Sequence, residues 1–129
     1  MEEKYLHKDL THRIIGCAMQ VHRTMGAGFP EIVYQRCLAI ELAQNGLAFQ
    51  QEVYLPLHYR GQSVGSRRVD LLVENAILLE LKAVSEHSSL HEAQIINYLN
   101  AYQLEVGLLL NFGQASLSSK RFVNSRQPK

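Results

Sequence analysis

Apolar residues recur at helical spacing through Leu10, Ile14, Ile15, Ala18, Val21 and Met25, which predicts an amphipathic helix from about Lys8 to Met25. Gly26-Ala27-Gly28 ends it, since glycine accepts the left-handed turn that closes a helix. Pro30 suits the first position of a second helix running to about Asn45-Gly46, with Tyr34 and Leu38 on its apolar stripe. Residues 48–59 alternate loosely and read as a strand, and Pro56 places that strand at an edge or a bulge. Arg60-Gly61-Gln62 then turns the chain into a short segment that Gly61 and Gly65 make look bent. From Arg67 to Val84, RRVDLLVENAILLELKAV, two leucine-rich runs flank Glu74-Asn75, a β-hairpin signature. A third helix is expected from about Leu90 to Gln103. Ile95, Leu99 and Tyr102 form its core stripe, and His91, Gln94 and Tyr98 a more polar one beside it. Val106–Phe112 reads as a buried strand, and a further short strand is admissible around Lys120–Val123.

The resulting order, ααβββαβ, predicts an α/β fold: a small mixed sheet flanked by helices, its last strand added parallel through a crossover. At 129 residues and 47% hydrophobic content the chain suits one domain over residues 1–129. Net charge is +1, so a polyanion site has to be local. Cys17 and Cys37 have neither metal-site nor disulfide-framework spacing and read as buried free thiols. With no apolar leader and no run long enough to span a bilayer, a cytoplasmic protein without membrane contact is expected. His22 lies on or beside the first apolar stripe and reads as a core histidine, and Tyr34 likewise as core. Glu31, taken alone, is a first-turn helix-dipole residue.

The hairpin carries the chemistry. Asp70 interrupts its first strand, Glu80 and Lys82 its second. Alternation puts Glu80 and Lys82 on one face, with Leu79, Leu81 and Ala83 on the other. Charges within core strands are costly unless paired or bound to an ion. Either Lys82 forms a structural ion pair with Asp70 or Glu80, or the two acids offer hard oxygen ligands to Mg²⁺ or Mn²⁺. In the second case the lysine orients water or neutralises developing charge. Parity decides whether the acids share a face. A two-residue turn at Glu74-Asn75 places Asp70 opposite Leu79, whereas a three-residue loop, Glu74-Asn75-Ala76, places it opposite Glu80. The metal reading therefore predicts the three-residue loop or an equivalent bulge.

Asp70, nine intervening residues and Glu80-Leu81-Lys82 resemble the core of the PD-(D/E)xK nuclease superfamily. Gly28-Phe29-Pro30-Glu31-Ile32-Val33-Tyr34 reads as GxxExxY, and the chain is similar to the GxxExxY branch of that superfamily from about Ile14 to Phe112. The likeness includes Val21–Arg23, Val69–Val73, Glu80–Ala83, His91–Gln94, Tyr98 and the segment from Gly107 to Phe112. Val69 stands where the superfamily has its proline. The resemblance implies a restriction-endonuclease-like core with Asp70, Glu80 and Glu31 as metal ligands, Lys82 serving the attacking water, and Gln94 and Tyr98 near metal and phosphate. It implies Mg²⁺- or Mn²⁺-dependent phosphodiester hydrolysis, with DNA ahead of RNA by superfamily habit.

Arg67 and Arg68, beside the hairpin, are candidate phosphate contacts, alongside Arg60 and the tail residues Lys120, Arg121, Arg126 and Lys129. No recognition helix, zinc finger or aromatic platform is visible, so specificity is expected from a homodimer, a partner protein or the shape of the nucleic acid. Two other function classes stay open. One is a catalytically silent module that keeps the fold and binds nucleic acid or protein. The other is a zinc protein, prompted by His87 and His91 at i, i+4 with Glu92 beside them, although His87 falls before the expected helix and no residue adds a third ligand at metal-site spacing.

Overall fold

The computed structural model describes residues 7–86 and 88–124. Helices α1 (Lys8–Met25) and α2 (Glu31–Gln44) lead into strands β1 (Phe49–Tyr59), β2 (Gln62–Val73) and β3 (Ile77–Lys82), then α3 (Ser89–Tyr102), β4 (Val106–Asn111) and β5 (Ser118–Val123). Strand order follows chain order across one sheet, with β3 and β4 parallel and the other neighbours antiparallel. This is the mixed α/β sheet that the hydrophobic pattern predicts, with α3 as the crossover. The described helices are not long and apolar enough to cross a membrane.

The sheet has two packed faces. Ile14, Cys17, Ala18, Val21, Tyr34, Leu38 and Leu42 from α1 and α2 bury against Leu71, Val73, Leu79, Leu81, Leu108 and Leu110. On the opposite face Ile95, Tyr98 and Leu99 of α3 bury against Leu55, Val69, Leu78 and Leu109. α3 sits close because Gly107 has no side chain: a Cβ there would stand 3.2 Å from both Ile95 Cγ2 and Leu99 Cδ2. Tyr34 is fully buried, stacks on Phe112 at 4.6 Å and donates from its hydroxyl to Gly26 O at 2.5 Å. His22 is buried with Nε2 2.9 Å from Gln114 O, a satisfied core histidine as expected. Cys17 is buried, Cys37 only half-buried, and both are free.

Several boundaries differ from the sequence reading. Pro30 is the residue before α2 and not its first, with extended φ/ψ of −64° and 155°. The segment after Arg60-Gly61 is no bent connector but the outer half of an unbroken β2, paired with β1 from Tyr59↔Gln62 to Phe49↔Val73. Arg60 and Gly61, at φ 51° and 78°, form the tight positive-φ turn that suits a two-residue hairpin, and a bulge at Leu57/His58 absorbs one extra residue of β2. β1 does lie at the sheet edge, and the bulge comes one residue after Pro56, as a proline within a strand predicts. The admissible strand near residue 120 is β5, on the other edge. Arg126 and Lys129 of the tail, and His87 of the zinc reading, lie outside the described residues.

Candidate active site

The turn between β2 and β3 sets the geometry. Val73 pairs with Ile77, and Glu74-Asn75-Ala76 bridge them. Glu74 and Asn75 have φ of 55° and 53°, and Ala76 N donates to Val73 O at 2.9 Å. Asparagine suits such a position, but glutamate at positive φ is unusual. It is tied down: Glu74 N donates to Ala48 O at 2.8 Å, and its Oε2 accepts from Ala48 N at 2.7 Å. The three-residue loop gives the pairs Leu72↔Leu78 and Leu71↔Leu79, so Asp70 and Glu80 come next, opposite each other. The parity expectation holds.

At that level the backbone ladder gives way to side chains. Asp70 N donates to Glu80 Oε2 at 3.0 Å, and Leu81 N donates to Asp70 Oδ2 at 2.7 Å. On its other side β2 also loses its partner. The β1 register runs from Gln51↔Leu71 to Val53↔Val69 and skips the intervening pair, where Glu52 has φ 55°. A non-glycine residue held there costs about 1–3 kcal/mol. Past this break the strands exchange faces: Leu71 packs with α1 and α2, whereas Val69, of the same parity, packs with α3. Asp70 thus stands in a local opening of the sheet.

Burial sets the electrostatics of the opening. Glu80 is pushed up to about 8 from 4.5, first by desolvation and then by the Asp70 charge, with Lys82 and a backbone N–H opposing. Asp70 is raised by desolvation, against the Leu81 N–H, Lys82 and Arg68. Glu31 is raised as well, again mainly by desolvation, and accepts a backbone hydrogen bond from Ala83. Raised carboxyls were expected, but from like-charge repulsion; loss of water is the larger cause.

The structure brings most of the sequence-derived candidates together. Glu31, at the first turn of α2, reaches the end of β3 and feels Lys82, Asp70 and Arg68. Lys82 acts on all three carboxyls through space, and no ion pair joins it to Asp70 or Glu80 among the described residues. Tyr98, on α3, is buried against the site: desolvation raises its hydroxyl, followed by Glu80, while Arg67 lowers it. The expected polar stripe of α3 is therefore partly core. Gln94 lies one turn earlier on α3 and is half-buried. Arg68 pairs with Glu52 at 3.6 Å. Among the described residues no three His, Cys, Asp or Glu side chains already stand together as a metal cage. Even so, the donor set suits a hard divalent cation. Asp70 and Glu80 each commit one carboxylate oxygen to a backbone N–H, leaving the other for a ligand.

Two groups of residues escape the sequence reading. Gln35 is buried one turn after Glu31 and donates to Gln51 Oε1 at 3.3 Å and Glu52 Oε2 at 3.2 Å, tying α2 to the break in β1. The sole signal for Glu52 is a charge inside a strand-like run. Beyond Lys82, Asn111 Oδ1 accepts from Val84 N at 3.1 Å and its Nδ2 donates to Val84 O at 3.0 Å. A Cβ on Gly113 would lie 2.3 Å from Val84 N. This clamp ends β3 at Lys82 and fixes Ala83, the residue that Glu31 meets.

A family model described as the PD-(D/E)XK nuclease superfamily matches residues 8–122. Among solved structures the chain is similar to the crystal structure of SSO0001, at 19% identity and a TM-score of 0.57. That match covers 74% of this chain and 50% of the other, so the chain spans half the length of that protein, and the likeness is one of fold alone. No curated protein matches the chain.

Proposed function

The chain belongs to the PD-(D/E)XK nuclease superfamily, and from that premise we propose that it is a divalent-metal-dependent nuclease hydrolysing phosphodiester bonds, in DNA ahead of RNA, of the GxxExxY type. The observation that carries this reading is the facing pair of acids, half-buried Asp70 and buried Glu80, with Lys82 beside them and no ion pair among the described residues to explain the lysine. Asp70 and Glu80 would hold the Mg²⁺ or Mn²⁺, with Glu31 as an additional acid at its edge. Such an ion supplies Lewis-acid stabilisation of phosphorus oxygens and acidifies bound water.

The chain's own residues account for the remaining demands of the reaction. Lys82 Nζ, a donor with no acceptor capacity, orients the oxygen of the attacking water or draws charge from a phosphate oxygen. The Tyr98 hydroxyl and the Gln94 amide, on the helix that closes one side, hold non-bridging oxygens. Arg67 and Arg68 hold the flanking phosphates. The backbone N–H groups of Asp70 and Leu81 keep both carboxylates aimed, so little reorganisation is left for the reaction.

Labelled single-stranded DNA, duplex DNA and RNA, incubated in chelator and then with Mg²⁺ or Mn²⁺, test the proposal. Metal-restored cleavage is expected, and Lys82→Ala should lower turnover by about 100-fold or more while leaving metal binding and the melting temperature near wild type. A silent binding module gives binding without cleavage in either metal. If Lys82→Ala instead mainly destabilises the protein, by about 3–5 kcal/mol, the lysine is a structural counter-ion.

A further inference from the structure

Past the break at Glu52 and Asp70, Leu55 and Val69 still pack on α3, and beyond them β1 and β2 leave the body of the protein as a two-stranded arm. From His58 through Arg68 all residues are exposed, whereas Val69 and Leu71 to Val73 are buried. Residues 53–69 contain Arg60, Arg67 and Arg68 and no acid, in a chain whose net charge is only +1. The arm ends in the tight Arg60-Gly61 turn, with the Arg60 guanidinium 5.6 Å from the Tyr59 ring centroid. From the Leu55↔Arg67 pair to that tip it reaches roughly 15 Å at the usual strand rise. Its base is the site itself, since Arg68 acts on Asp70 and Arg67 on Tyr98.

An exposed ribbon this polar gains little from packing, and its charge suits a polyanion. Three arginines at base and tip match phosphates on either side of a groove, and His58, Gln62, Ser63 and Ser66 supply donors and acceptors between them. The major groove of B-form DNA, about 12 Å wide, admits a two-stranded β-ribbon, whereas the deep, narrow major groove of A-form RNA does not. We propose that the β1–β2 arm enters the major groove of B-form duplex DNA and presents the adjacent backbone to the Asp70–Glu80 site. This rests on the nuclease reading and narrows its substrate to duplex DNA.

Fluorescence anisotropy of the full chain in chelator, so that binding is read without cleavage, tests it on duplex DNA, duplex RNA and single-stranded DNA of one sequence. Duplex DNA is expected to bind about tenfold or more tighter than duplex RNA. Arg60→Gln should weaken duplex binding and lower the slope of log affinity against log salt by about one. Replacing residues 58–64 by Asn-Gly, which shortens the arm outside the core, should remove the preference for DNA. Unchanged duplex affinity and salt slope in both variants would overturn the proposal, as would equal binding of RNA duplex or single strand by the wild type, or binding by none of the three. Arg60→Gln keeps the test valid if the shortened arm folds poorly. Intact cleavage with an idle arm refutes the arm alone, while arm-dependent duplex binding without cleavage in any metal refutes the nuclease reading alone.

Discussion

Strand β2 has two halves that obey different rules. Leu71 to Val73 are buried between helices, paired to both neighbours in strict register, and contribute to the core. Gln62 to Arg68 pair only with β1 and face water. Asp70 stands where one regime becomes the other, and there the backbone pairing lapses on both sides. A β-ladder satisfies its own N–H groups and leaves no role for a carboxylate. Interrupting it frees those groups to aim Asp70 and Glu80. The buried half fixes the two carboxylates, and the exposed half faces water.

Truncation in each half should separate them most strongly. Leu71→Ala removes a fully buried side chain and should cost about 2–5 kcal/mol in denaturant or thermal unfolding. Val64→Ala, in the exposed half, should stay within about 0.5 kcal/mol. Equal costs would mean that the arm is packed in solution and that the two halves are one.

The junction itself should be pH-sensitive. Glu80, raised from 4.5 to about 8, holds its proton in the folded, metal-free state where the unfolded chain has released it. The folded form then binds more protons across that window, so stability falls as pH rises from about 4.5 to about 8, by at most about 1.4 kcal/mol per pH unit for this group. Melts in chelator should show that slope, and Glu80→Gln should flatten it. A wild type that gains stability across the window would contradict the buried-acid account.

Glu52 offers a finer test of why the ladder breaks. Its φ of 55° is easy for glycine and strained for alanine, while both substitutions lose the bonds to Gln35 and Arg68. Glu52→Gly should therefore be more stable than Glu52→Ala by about 1 kcal/mol. Equal stabilities would remove backbone strain from the description of the break.

Much of this was legible in the sequence, for identifiable reasons. α1 was recoverable at both ends because its apolar spacing is regular and Gly26 follows it. The facing of Asp70 and Glu80 followed from parity only once the metal reading selected the three-residue loop Glu74-Asn75-Ala76 over a two-residue turn at Glu74-Asn75. The outer half of β2 was not legible: a run of Gln, Ser, Gly and Arg has no alternating pattern to bury. The exchange of faces was hidden as well, since it depends on one left-handed residue, Glu52, that composition does not mark. Gln35 looks like a surface amide and Asn111 is one polar residue in a buried strand, and only the folded chain shows their partners.

On the proposed function, the opening at Asp70 and Glu80 would take a divalent cation in exchange for a proton. Calorimetric titration of Mn²⁺ into chelator-stripped protein at pH 7, in two buffers of different ionisation enthalpy, reads both events at once. The wild type should bind Mn²⁺ and release about one proton per ion, and Asp70→Asn should lose the binding. Binding that Asp70→Asn leaves intact, or no Mn²⁺ binding by the wild type, would contradict the account.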